Sequence, residues 1–251
     1  MKAALVVHKV RPTVGESLAA MEAAVQHAAA AGAHLALFPE AAPTGLANND
    51  DPDHDLLLGQ PIPCPATERL AAAARRHGLY VAFGLLERHG QCLYDSCVLL
   101  DPDGATAFRY RRIQPQWHGR KADPRVYRQG DRVEVADTPF GRVSCLLCGD
   151  LFDAAIVGRL REARPDILLF PFARNFGDGR FDQVRWDREE EPAYVARAAR
   201  VGCPTLMANL LGDPALTQWP SFGGALVVDA GGEVTARWPL GRPGILYADV
   251  G

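Results

Sequence analysis

Two side chains in this sequence have the chemistry of a nucleophile and its base. Cys148 closes the apolar run RVSCLLC, and Glu40 follows the apolar run HLALF. A thiolate attacks carbonyl carbon well, and a carboxylate beside it can take the thiol proton and return it to a leaving group. In an open α/β sheet, ligands lie beyond the carboxyl ends of the strands, where both residues stand. Each alone is weak evidence. A carboxylate after a strand is usually a solvated turn residue, and a buried cysteine usually packs as a small hydrophobe. A third feature joins them: Arg111 to Asp131 has no helical or strand period, only Pro, Gln, Trp, Gly and charge. An irregular segment of that length inside a compact domain is more often functional than idle. Together the three imply a pocket with a nucleophile, a base and cations.

Cys145 and Cys148 also form a CxxC, which reads as a redox pair or half a zinc site. Residues three apart in a strand point to opposite faces, and no second CxxC or CxxH supplies further ligands. Cys145 is therefore assigned to packing.

The elements that must position these residues are legible as an alternation of strands and helices. Strands are expected at Ala3–His8 and His34–Phe38, separated by a helix that opens on a Thr13/Glu16 capping box and closes at Gly32. A helix from Pro65 to His77 ends at Gly78, and strands follow at Leu79–Leu85, Ser96–Leu100 and Ala105–Tyr110, the last two joined by a turn at Asp101–Gly104. Beyond the irregular segment, strands are expected at Arg132–Val135, Arg142–Cys148 and Asp166–Phe170, with a helix at Ala154–Ala163. Phe172 to Arg185 is irregular, and a helix then runs from Trp186 to Val201. Strands at Pro204–Ala208, Ala225–Asp229, Glu233–Trp238 and Ile245–Val250 finish the chain. No linker or repeat divides it, so residues 1–251 are expected to form one domain with helices layered on sheet.

Composition bounds the partners. The chain has 251 residues and a net charge of -3, with lysine only at Lys2, Lys9 and Lys121. Such a balance gives no electrostatic reason to expect nucleic acid or an anionic membrane. No apolar run reaches the roughly 18 residues needed to span a bilayer, and the first ten are too short for a secretory signal. A cytoplasmic address is expected, where six cysteines stay reduced.

The sequence resembles the nitrilase superfamily of carbon–nitrogen hydrolases along almost its whole length. The motifs that carry the resemblance are LALFPE at 35–40, RYRRIQP at 109–115, GRVSCLLCGDLF at 141–152, RAARVGCPTLMANLLGD at 197–213 and GGALVVDAGGEV at 223–234. The resemblance implies an α/β fold, the four-layer αββα sandwich, usually paired into homodimers or larger oligomers. It also implies a catalytic set of Glu, Lys, a second Glu and Cys. Glu40 matches the base and Cys148 the nucleophile. Arg112 stands at the lysine position and Asp123 at the second glutamate, swaps that keep charge and change geometry. Gly149 occupies the place of a bulky aromatic.

Those matches imply hydrolysis of a small non-peptide amide through a thioester, without a cofactor or metal. The Gly149 N–H and a cation would meet the oxyanion. Arg112 is the expected cation and Lys121 the alternative, since a planar guanidinium is not a point donor. Arg174 and Asn175, after the strand that ends at Phe170, are expected to meet a substrate carboxylate. Trp117, Trp186 and His118 are assigned to packing or loop. An acyltransferase and a non-catalytic scaffold remain open as alternatives, because Arg112 and Asp123 depart from the pattern. Amide hydrolysis is preferred to nitrile hydrolysis.

Overall fold

The apolar run that opens the chain becomes β1 (Lys2–Val7), and its residues bury on both faces. Ala3, Leu5 and Val7 face one core; Ala4 and Val6 face another. A strand covered on both sides has no reason to alternate polar and apolar residues. The computed structural model describes residues 1–251. α1 (Val14–Ala30) starts on the expected capping box, with Thr13 Oγ1 accepting from Glu16 N–H and Glu16 accepting from Thr13 N–H. β2 (Leu35–Leu37) then lies parallel to β1.

A short helix absent from the expectations, α2 (Pro52–Leu58), follows. Its signals are Asp51 as cap and Pro52 in the first turn. Seven residues are too few to display a helical period. α3 (Pro65–His77) ends on Gly78 in the left-handed conformation, as expected. β3 (Tyr80–His89) and β4 (Cys92–Leu100) form an antiparallel pair, and β5 (Thr106–Arg111) completes a sheet ordered β12-β1-β2-β3-β4-β5. Both β3 and β4 are longer than expected, because the hairpin continues through Glu87, Asp95 and Ser96.

The second sheet is ordered β11-β10-β9-β8-β7-β6. It contains β6 (Val135–Thr138), β7 (Gly141–Cys145) and β8 (Ile167–Phe172), with α4 (Ala154–Ala163) between the last two. A short α5 (Gln183–Arg185) passes through a wide π-turn at Trp186–Glu190 into α6 (Glu191–Ala199). The strands β9 (Thr205–Asn209), β10 (Ala225–Val228) and β11 (Val234–Trp238) follow. β12 (Gly244–Asp249) crosses back to pair antiparallel with β1.

The two sheets lie face to face over a core that includes Leu5, Leu37 and Cys97 of one and Val143, Leu169 and Leu206 of the other. α1 and α3 cover the first sheet through Leu18, Met21 and Leu70, while α4 and α6 pack through Ile156, Leu160, Tyr194 and Ala198. This is the expected αββα sandwich. Further boundaries differ from expectation. β6 begins at Val135, because Val135↔Ser144 through Thr138↔Gly141 sets the register and Arg132 pairs instead with Glu134 at the surface. β7 stops at Cys145, so Cys148 lies beyond the strand. The helix expected to begin at Trp186 begins earlier and widens there. No helix is long and apolar enough to cross a membrane.

Candidate active site

Glu40 is held by a tight turn against β3. After β2 the chain bends through Pro39, with Ala41 at φ 49°. Gly84 makes this approach possible. Its N–H donates to Pro39 O and its carbonyl accepts from Ala42 N–H, both at 3.0 Å. A Cβ at Gly84 would lie 2.5 Å from Glu40 Cα. The carboxylate is thereby fixed in the interior, 3% exposed.

Cys148 starts a turn of 3-10 helix, Cys148–Phe152, with φ 43° at the cysteine itself. A positive φ at a non-glycine residue is strained, and such strain persists only where surrounding contacts enforce it. Asp150 provides the enforcement. Fully buried, it accepts from Tyr110 Oη at 2.6 Å, Gln114 N at 2.8 Å, and Ile113 N and Leu147 N at 3.2 Å. One carboxylate thus ties the Cys148 turn to β5 and the segment that follows it.

That segment carries Arg112, whose N–H donates to Asp95 O at 2.8 Å. The guanidinium is 4% exposed and touches both carboxylates of the site through one nitrogen. Nη1 is 3.1 Å from Glu40 Oε1 and 3.3 Å from Asp95 Oδ2, and Nη2 donates to Gln114 Oε1 at 3.1 Å. Glu40 Oε2 and Arg112 Nε have no partner in the chain. Gly149 is what admits a guanidinium here. A Cβ at 149 would sit 2.5 Å from Arg112 Nη2 and 2.8 Å from Gln114 Oε1. Arg112 and Gly149 are therefore sterically coupled, since any side chain at 149 would require the guanidinium to move.

The electrostatics follow from burial. Loss of water, reinforced by the neighbouring Cys148 sulfur, raises Glu40 to about 8, against the opposing pull of Arg112. Burial and the adjacent Glu40 charge push Asp95 well above the usual carboxylate range. Burial works against the charge of Arg112, but Cys148, Glu40 and Asp95 outweigh it and keep the guanidinium cationic.

A cavity of about 430 Å³ opens onto this cluster, walled by Cys148, Gly149, Arg112, Gln114, Phe152, Arg174, Glu190 and Tyr194. The structure thus brings together Glu40, Arg112, Cys148 and Gly149. It does not bring in Asp123, whose carboxylate is taken by Arg125 at 2.7 Å on the surface. A second acid does reach the cluster, Asp95 of β4, which shares Arg112 with Glu40. Lys121 is exposed and does not line the cavity.

Arg174 does line the cavity, but its guanidinium is already bidentate on Glu190, at 2.8 and 2.5 Å. Asn175 Oδ1 instead accepts from Gly177 N–H. Trp117 packs on Tyr127, and Trp186 on Phe172, Tyr194 and Phe222. Cys145 is buried between the sheets beside Cys97, with its thiol pushed up by burial and then by that neighbour. Asp95, Gln114 and Asp150 were not singled out from sequence. For Asp95 a signal existed: a lone carboxylate inside the apolar strand CLYDSCVLL.

The family model for carbon-nitrogen hydrolases matches residues 2–251. A deaminated glutathione amidase of Mus musculus is 29% identical over 238 residues, spanning 90% of this chain and 70% of its own length. A bromoxynil-specific nitrilase of Klebsiella pneumoniae subsp. ozaenae is 35% identical over 138 residues, spanning 50% of this chain and 38% of the nitrilase. In three dimensions, an amidase from Nesterenkonia sp. covers 100% of this chain and 90% of its own, with TM-score 0.81 and 21% identity. A carbon-nitrogen hydrolase from Helicobacter pylori covers 99% and 88%, with TM-score 0.84 and 20% identity. At such identities the structural likeness is one of fold.

Proposed function

Since the chain belongs to the carbon-nitrogen hydrolase family as an amidase-type hydrolase, we propose that it cleaves a small non-peptide amide through a thioester on Cys148, with Glu40 as general base. The observation that carries this reading is the free oxygen of Glu40. A buried carboxylate oxygen without a partner is costly, and Oε2 is such an atom beside a cysteine. The thiol proton is a donor within its reach, alongside the carboxyl of Asp95.

The steps follow from the geometry. Glu40 takes the Cys148 proton as sulfur attacks the carbonyl carbon, and the oxyanion meets the Gly149 N–H and the Arg112 guanidinium. Glu40 then returns the proton to the departing amine, leaving a thioester. Water, deprotonated by the same Glu40, attacks the thioester and releases the acid and the thiol. Arg112 faces both ends of the first transfer, so the negative charge moves from carboxylate to sulfur without leaving its counter-ion. The cavity of about 430 Å³, with Phe152 and Tyr194 as apolar walls and Gln114 and Gln116 as polar ones, suits a small molecule. A substrate carboxylate entering it meets the neutralised Arg174–Glu190 pair rather than a free cation.

Iodoacetamide alkylation followed by peptide mass spectrometry tests the pair without knowledge of the substrate. Cys148 is expected to react ahead of the other five cysteines, and Glu40→Gln to slow it by about tenfold or more. Labelling of Cys148 no faster than of partly exposed Cys92, or indifference to Glu40, contradicts the reading and leaves the non-catalytic scaffold in its place. Gly149→Ala is a second check. The new Cβ displaces the guanidinium by about an ångström, so turnover should fall by about 10²-fold. A thermal melt should show the variant folded, and unchanged turnover would remove Arg112 from the oxyanion site.

A further inference from the structure

Asp95 is a buried carboxyl that the steps above do not use. Only 6% exposed, it shares Arg112 Nη1 with Glu40, at 3.3 and 3.1 Å, and the two carboxyl groups lie within hydrogen-bonding reach of each other. The groups facing it are few. Glu40 comes from the turn after β2, Arg112 from the segment after β5 and Cys145 from β7, while Cys148 and Asp150 of the 3-10 turn face Arg112. β3 places Leu86 directly opposite. Arg112 is the one cation in this set.

We infer that Asp95 works as a protonated acid, its O–H donating to Glu40 and favouring the ionised form in which that carboxylate acts as the base. Asp95 is then a positioning residue, acting on the substrate only through Glu40. The charge count requires such a proton. With Asp95 and Glu40 both ionised, two negative charges face one cation in a dry site, both before and after the Cys148 proton moves to Glu40. With Asp95 neutral, the cluster carries one negative and one positive charge before the Cys148 proton moves to Glu40 and after. Burial and the Glu40 charge both favour the neutral form of Asp95. A deprotonated Asp95 at that site would instead compete with Glu40 for the single nitrogen they share.

The inference rests on the hydrolase reading, and one experiment separates the two. The iodoacetamide alkylation rate of Cys148 is measured against pH in wild type, Glu40→Gln, Asp95→Asn and Asp95→Leu, with circular dichroism as the check on folding. Because Glu40 sits at about 8, the wild-type rate should fall as pH drops below that value and the base takes up its proton. Asn is neutral and still donates, so Asp95→Asn should keep the half-maximal pH within about 0.3 unit of wild type. Leu cannot donate, and the carboxylate loses a bond that favours its charged form. Asp95→Leu should therefore raise the half-maximal pH by about one unit.

A downward shift of a unit or more in Asp95→Asn means that Asp95 was ionised, and overturns the inference. A Leu profile identical to wild type does the same. If Asp95→Leu fails to fold, the Asn variant decides alone. Indifference of wild-type Cys148 to Glu40→Gln defeats the hydrolase reading itself, and this inference falls with it.

Discussion

Cys148→Ala should abolish release of ammonia or amine from any amide the enzyme turns over, a loss on the order of 10⁶-fold, as for removal of a covalent nucleophile elsewhere. The residue has no substitute, because Cys145 is buried between the sheets and Cys148 alone of the cysteines lines the cavity. Glu40→Gln should cost about 10²–10⁴-fold, the range for loss of a positioned general base. The two changes should not add. Once sulfur is gone there is no proton for Glu40 to take, so the double variant should be no slower than Cys148→Ala. Cys148→Ser is informative in a different way: it keeps the shape of the turn and replaces a good nucleophile with a poor one. Its expected result is a folded protein with residual activity near that of the alanine variant. Ammonia release across a panel of short amides, with melting curves on each variant, checks all four. A Cys148→Ala variant that retains a tenth of the activity would end the thioester mechanism.

Much of this site could be read before the fold was known, and the reason lies in chain position. Glu40 and Cys148 sit where apolar runs end, and the end of a strand is visible in sequence. Arg112 stands one residue past β5, so it too is marked by a boundary. Asp123 was expected from the family resemblance, and the structure places it away from the cluster. Arg125, two residues on, captures its carboxylate with three bonds from the guanidinium. Asp95 takes the inward place through pairing of β4 with β5, a tertiary event that local spacing does not record. The strand was expected to begin at Ser96, which left Asp95 just outside it. The steric link between Gly149 and Arg112 is of the same kind, since the two are far apart in sequence and meet only when the sheets are stacked.

The largest effect on stability is expected at Asp150, beside the nucleophile. Its two oxygens accept four bonds, Oδ1 from Ile113 N and Gln114 N, and Oδ2 from Tyr110 Oη and Leu147 N. Asp150→Ala leaves four donors facing a dry interior, each at about 1–3 kcal/mol. The loss should reach at least about 4 kcal/mol, a large share of the roughly 5–15 kcal/mol that holds a domain folded. Asp150→Asn should be milder, since one oxygen remains and Tyr110 can turn its hydroxyl to accept from the new amide. Leu147 N–H would still face an N–H₂ group.

The pH dependence has a definite sign. Burial raises Asp150 to about 6, overcoming the bonds from Tyr110, Gln114 and Leu147. A raised value means that the folded state holds the proton more tightly than the unfolded chain. The contribution of this group is therefore complete below about 3.8 and is lost as pH rises through about 6. Asn does not titrate, so the stability gap between wild type and Asp150→Asn should narrow as pH goes from 4 to 7.5. Urea unfolding at the two pH values measures it, and a gap that widens would show that Asp150 is ionised more easily in the fold than out of it. The same carboxylate anchors both the Cys148 turn and the Arg112–Gln114 segment. Asp150→Asn should accordingly weaken the preference of iodoacetamide for Cys148 even where the protein remains folded, because the strained φ at Cys148 loses the bonds that enforce it.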